Sequence, residues 1–218
     1  MVGRHPFSLL LALAVVFVAG CPTIWKTGVV KTESSAKELF EQAEDRFKKK
    51  DYSEALAVYE RLKSAYPDFD KMPLVYQRIA DSFSETGKYE EAVARYRQFL
   101  EMYPNHKDRG RARYMTAMTL FKQIKDIERD DSMLRAAEAA FKEVLDDATA
   151  GEWKKKAEEK HRECRQQLGR HELYKARTYL TLKRYQAARL AAQRVLDDYP
   201  KLGLDKEASA LIEQTKGK

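Results

Sequence analysis

Histidine and cysteine are scarce in this chain, with four His and two Cys in 218 residues. His161 and Cys164 would lie side by side on a helix at their i, i+3 spacing. Two ligands do not make a zinc site, however, and no second His/Cys pair with suitable spacing occurs. His106 and His171 belong to no carboxylate–histidine–nucleophile pattern, and neither a glycine-rich phosphate loop nor a G-x-S-x-G turn is found. An enzyme reading therefore has no support, and neither a metal nor a cofactor is expected. Long apolar runs are equally rare. A charged fraction of 34% and a mean hydropathy of −0.66 over the whole chain leave no transmembrane segment beyond residue 20. Proline is missing from Trp153 to Lys183, so nothing there interrupts a helix.

What is present is a repeat. Three tyrosines each precede a Tyr-Pro pair, with fifteen residues from tyrosine to proline: Tyr52 to Tyr66-Pro67, Tyr89 to Tyr103-Pro104, and Tyr185 to Tyr199-Pro200. Between them Ala55 is followed by Tyr59, Ala92 by Tyr96, and Ala188 by the smaller Ala192. A small residue admits a neighbouring helix, and the residue four positions on fills the next gap on that face. The proline then stops the helix. The first two copies lie 37 residues apart, the period of a stacked helical-hairpin array.

These residues resemble a tetratricopeptide repeat. Copy two is the fullest, with Ile79-Ala80, Phe83, Gly87, Tyr89, Ala92, Tyr96 and Pro104. Copy one keeps Ala43, Tyr52, Ala55, Tyr59 and Pro67 but has Lys50 in place of the turn glycine. The last copy keeps Ala176, Tyr179, Tyr185, Ala188 and Pro200. A degenerate third unit fills the 96 residues between Tyr89 and Tyr185. It has a helix around Ala117–Phe121, a connector over Ile124–Asp131, and a helix with Ala137, Phe141 and Val144. The expected fold is all-α: a tetratricopeptide-repeat α-solenoid of about four helical hairpins over residues 36–218, with Leu202–Gln214 as a C-terminal stub helix.

The amino terminus reads as an export signal. Arg4 supplies a positive n-region, and the apolar run Phe7 to Val18 is twelve residues long, too short to span a bilayer. It ends in Val18-Ala19-Gly20-Cys21, which resembles a bacterial lipobox; an ordinary signal peptide with a chance cysteine is the plainer alternative. The lipobox implies removal of residues 1–20 and a lipidated Cys21 as the first mature residue, with Cys164 left without a disulfide partner. Pro22 is not the aspartate that marks inner-membrane retention in enteric-type sorting, which favours the outer membrane. Residues 22–35 show no helical period and read as a tether, with Ser34 or Ser35 capping the first helix and Glu38 placed for a capping box.

Loss of Arg4 leaves 40 basic against 34 acidic residues, a net +6. The tracts Lys48–Lys50 and Lys154–Lys156 are interleaved with glutamates on helices and read as solvated faces, so nucleic acid is not expected. A mild attraction to anionic head groups fits the anchor better. The stretch Trp153 to Lys183 predicts a helix of about 45 Å. Ala157, His161, Cys164 and Leu168 form its apolar stripe, where a free cysteine acts as a small hydrophobe.

The lipobox, the 37-residue spacing, the extended connector and the long helix together resemble the BamD family of outer-membrane assembly lipoproteins. The stretches that carry the likeness are Cys164-Arg165-x-x-Leu168 through Glu172, Ala176 and Tyr179 to Tyr199-Pro200, and Asp130-Asp131 through Ala136-Ala137 to Phe141. The resemblance implies a non-catalytic, lipid-anchored scaffold facing the periplasm in the β-barrel assembly machinery. Its partners would be the barrel-insertion subunit (BamA-like) and unfolded outer-membrane proteins. A lipoprotein scaffold of another envelope system, a pilotin for secretin assembly or a cell-wall coordinator, is the alternative. In tetratricopeptide units helix A lines the inner face. Carried over, that pattern offers Phe40, Glu44 and Phe47, then Leu74, Gln77 and Asp81, then Arg111, Tyr114, Met118 and Phe121. These would take an extended aromatic-bearing segment, with Arg111 pairing a carboxylate; burial of the same aromatics between units is the competing expectation. Tyr185, Arg189 and Arg194 would face the barrel subunit. Family members usually complete a fifth unit, for which only one helix remains here.

Overall fold

Ser35 opens the first helix by the expected reciprocal cap. Its Oγ accepts from the Glu38 N–H at 3.3 Å, and Glu38 Oε2 accepts from the Ser35 N–H at 2.9 Å. The computed structural model describes residues 35–125 and 130–218. The signal segment, Cys21 and the tether before Ser35 lie outside the described residues, as do positions 126–129 of the third unit's connector.

Among the described residues the secondary structure is nine α-helices. These are α1 (Ala36–Lys48), α2 (Tyr52–Ala65), α3 (Met72–Glu85), α4 (Tyr89–Met102), α5 (Arg109–Lys122), α6 (Ser132–Asp146), α7 (Trp153–Thr181), α8 (Tyr185–Asp198) and α9 (Asp205–Gln214). Each packs chiefly on its neighbours in sequence, the coupling of a solenoid. The four hairpins are α1–α2, α3–α4, α5–α6 and α7–α8, and α9 is the expected stub against α8 and α7. Pro73 stands in the first turn of α3, where its missing N–H costs nothing.

The small/large register seen in the sequence is the packing register. Ala55 with Tyr59, Ala92 with Tyr96, and Ala188 with Ala192 are all fully buried, as are Ala43, Ala80, Ala117 and Ala176 on the facing helices. Unit four thus closes on a pair of alanines, with Leu173, Val195 and Leu204 filling the space around them. The tight turns share one geometry. In unit two Lys88 N–H donates to Phe83 O and Gly87 N–H to Ser84 O, a Schellman closure with Gly87 at φ 77°. Units one and four make the same bonds with Lys50 (φ 66°) and Lys183 (φ 56°) in the left-handed position. Helix ends at Tyr66, Tyr103 and Tyr199 precede the three prolines, as the spacing requires.

The long helix is real: α7 has 29 residues, about 43 Å at 1.5 Å per residue. It serves two units. Ala157, Cys164 and Leu168 pack with α5 and α6 residues, whereas Leu173 and Ala176 pack with α8 and α9. Cys164 is fully buried and unpaired, and burial pushes its thiol up to about 12. His161 turns to Glu138 at 2.8 Å rather than joining Cys164 in a site. At α5 the backbone of Ala150 passes so close that a Cβ on Gly110 would sit 2.7 Å from its Cα. Only glycine permits that approach.

Candidate binding face and docking residues

The helix-A faces of units one and two carry a polar ladder built on the repeat register. One turn position holds a carboxylate, Glu44 in α1 and Asp81 in α3, and a tyrosine fifteen residues later donates to it from helix B. Tyr59 Oη reaches Glu44 Oε1 and Tyr96 Oη reaches Asp81 Oδ1, both at 2.5 Å. Burial and the neighbouring carboxylates hold both phenols protonated, well above the ordinary tyrosine range. Arginines from the next unit close each rung. Arg78 Nε donates to Glu44 Oε1 at 2.9 Å, and Arg111 Nη2 donates to Asp81 Oδ2 at 2.8 Å while Nη1 reaches Gln77 Oε1 at 2.9 Å. Arg78 also covers the Phe47 ring at 4.4 Å.

This ladder revises two expectations about the inner face. Arg111 is not a free cation, because the 6% exposed carboxylate of Asp81 already holds it. Phe40 is only 9% exposed and packs with Phe69 at 5.5 Å, under Lys71 Nζ at 4.9 Å. Phe47 meets Tyr52 edge-on at 5.2 Å. In unit three the register changes character: Met118 and Phe141 stand where the carboxylate and tyrosine stood, so the ladder gives way to an apolar patch. Tyr114 lies 5.9 Å from Phe141 and 5.2 Å from Trp153, and Phe121 lies 6.3 Å from Phe141 with Lys160 over its ring. Tyr114, Met118 and Phe121 are partly buried and keep some surface.

In the same unit is a buried ion cluster that sequence reasoning missed. Asp147, at the end of α6, takes a bidentate pair from Arg109 (3.0 Å each), Arg113 Nη1 at 3.0 Å, and the Thr149 N–H and Oγ at 2.9 and 2.7 Å. Burial works to raise its pKa, but the hydrogen bonds from Arg109 and Thr149 and the Arg113 charge outweigh it and hold the carboxyl down to about 2. The 38-residue separation of Arg109 and Asp147 left no local signal. Among the described residues no group of three or more His, Cys, Asp or Glu is arranged to hold a metal ion.

At the other end the three docking residues occupy different settings. Arg194 is 59% exposed, with Nη1 3.6 Å from Glu172. Glu172 is itself buried and ringed by Lys175, by Arg135 at 3.7 Å and by Arg194. Arg189 is turned inward instead: its Nε donates to Thr215 Oγ1 at 3.2 Å and its Nη2 to Thr215 O at 2.5 Å, which ties α8 to the end of α9. Tyr185 lies under Lys218 Nζ at 5.3 Å.

Comparison with known proteins adds one decisive fact. A family model described as "YfiO: Outer membrane lipoprotein" matches residues 32–216. The chain belongs to this family. As a YfiO-family protein it is associated with the outer membrane. It is 24% identical over 216 residues to the outer membrane protein assembly factor BamD of Neisseria meningitidis serogroup A, covering 94% of this chain and 80% of that one. It is 25% identical over 146 residues to the BamD of Caulobacter vibrioides, covering 66% and 47% respectively. Solved structures similar to this YfiO-family chain include MamA 41-end from Desulfovibrio magneticus RS-1 (TM-score 0.44, 17% identity, 84% of this chain and 97% of that). Another is a thermophilic TPR protein of Thermus thermophilus (TM-score 0.43, 16% identity, 82% and 100%).

Proposed function

We propose that this chain is a non-catalytic scaffold of the outer-membrane β-barrel assembly machinery, anchored through a lipidated Cys21 and facing the periplasm. The family match over residues 32–216 carries this reading. The stack of helical hairpins supports it, since a solenoid offers extended side-chain surface to partners. Its partners are the barrel-insertion subunit and unfolded outer-membrane proteins. The patch of Tyr114, Met118 and Phe121 is the client surface, offering flat apolar contacts, with Phe47 a further aromatic in unit one. Phe40 supports unit one from its core, and Arg111 is held to unit two through Asp81. Arg194 presents the docking surface, Arg189 keeps α9 in place behind it, and Tyr185 is set apart from it under Lys218.

The test is affinity purification from solubilised envelope. The parent chain should bring down the barrel-insertion subunit; a secretin in its place would overturn the assignment. Tyr114→Ala with Phe121→Ala should weaken binding of a peptide from the last strand of an outer-membrane barrel while leaving the barrel subunit bound. Arg194→Glu should do the reverse, because a rim charge chiefly governs docking. A circular-dichroism melt of each variant separates lost contact from lost fold.

A further inference from the structure

The repeat register provides an internal comparison of three surface depressions, each lined by the tyrosine that opens a helix B. Around Tyr52 the lining includes Asp51, Glu54 and Glu85 against Lys50. Around Tyr89 it includes Lys122, Lys125 and Asp130. Around Tyr185, an open depression of about 430 Å³, the charged lining residues are Lys183, Arg184 and Lys218, with no carboxylate side chain among them. Among the described residues, Lys183, Arg184 and Lys218 have no ion-pair partner within 4.0 Å, unlike Lys175, Arg177 and Lys216. Leu182 at the same turn is 57% exposed. The wider charge distribution points the same way. Residues 151–218 carry 17 Lys and Arg against 10 Asp and Glu, a surplus of seven, while residues 21–150 carry 23 against 24.

We propose that the α7–α8 turn is a contact for an anionic phospholipid surface, with Lys183, Arg184 and Lys218 meeting head-group phosphates and Leu182 entering the head-group boundary. Cations without a carboxylate partner around an exposed apolar side chain are what such a surface rewards, and a tyrosine at the rim suits the interface. Each basic residue brought to an anionic leaflet strengthens binding about fivefold. An acidic protein would match the charge as well, and shielding of the turn by a bound partner is the outcome that would reveal it. The contact requires a membrane within reach, which family membership provides, and does not depend on the assembly role.

The experiment uses the full lipidated chain reconstituted in vesicles, with Cys164→Ala and an environment-sensitive fluorophore on Gln186→Cys, quenched by head-group spin-labelled lipid. Ser53→Cys, at the matching position of unit one, is the control. Replacing zwitterionic vesicles with ones holding about 30% anionic lipid should at least double quenching at 186 and leave 53 unchanged. Lys183→Glu with Arg184→Glu, or about 0.5 M salt, should abolish the increase. Equal quenching in both vesicle types, or an increase that survives the charge reversal, overturns the proposal. Loss of the increase with millimolar inorganic phosphate at constant ionic strength would assign a free-anion site instead. Shielding of position 186 only when a protein partner is bound would likewise sink it.

Discussion

Lys50 sits at φ 66° in the turn position that unit two gives to glycine. A side chain there costs roughly 1–2 kcal/mol against the preceding carbonyl, and the cost recurs at Lys183. Lys50→Gly should therefore stabilise the chain by about 1 kcal/mol in urea denaturation, since the Schellman bonds stay and the strain is removed. A neutral or destabilising result would mean that the lysine stem makes contacts worth as much as the strain. Asp147 acts in the opposite sense. Its carboxyl is held down to about 2 against an ordinary value of 3.8. A depressed carboxylate contributes stability above the unfolded value and loses it as pH falls through the folded one. Roughly 2 kcal/mol should disappear between about pH 4 and pH 2. Asp147→Asn should remove that acid-range slope from the denaturation midpoint, and an unchanged slope would locate it elsewhere.

At the level of elements, the alanines of helix B matter as much as the aromatics. Ala92 in α4 is fully buried beside Ala80, Tyr96, Phe99 and Ala112. Ala92→Leu should overpack the α3–α4 contact and cost about 1–3 kcal/mol. Hydrogen exchange should show protection lost first in α3–α4, then in α2 and α5, and last in α8, because coupling passes between neighbours. Uniform loss would mean that the hairpins melt as one cooperative block. The rungs from Glu44 to Arg78 and from Asp81 to Arg111 are the polar part of that coupling, each joining one hairpin to the next.

On the scale of the whole molecule, attachment and fold are separable. Cys21→Ser should release the chain from the membrane pellet after a high-salt wash while its helical circular dichroism persists, because the repeats begin only at Ala36. Two or more acyl chains, at roughly 0.8 kcal/mol per buried CH₂, are ample for stable anchoring. A serine variant that stays in the pellet would argue against lipid attachment as the anchor. The lipid head-group contact at Lys183 and Arg184 would be a secondary hold, too weak to resist that wash.

Helix positions, turns and the buried small/large register were legible in the primary sequence, because they depend on spacing within a few turns of chain. Tyr-Pro pairs ended helices, Ala55, Ala92 and Ala188 marked the crossings, and the proline-free stretch after Trp153 became α7. The third unit was readable despite its degeneracy, since Ala137, Phe141 and Val144 keep a helical stripe. Side-chain availability on the binding face was not readable in the same way. Whether Arg111 is free depends on Asp81 thirty residues earlier, whether Arg189 faces a partner depends on Thr215, and Asp147 finds Arg109 across a hairpin. Periodicity determines which face of a helix is turned inward. Only the tertiary stack decides which polar groups on that face have already satisfied one another, because pairing is set by distances between units that no local pattern encodes.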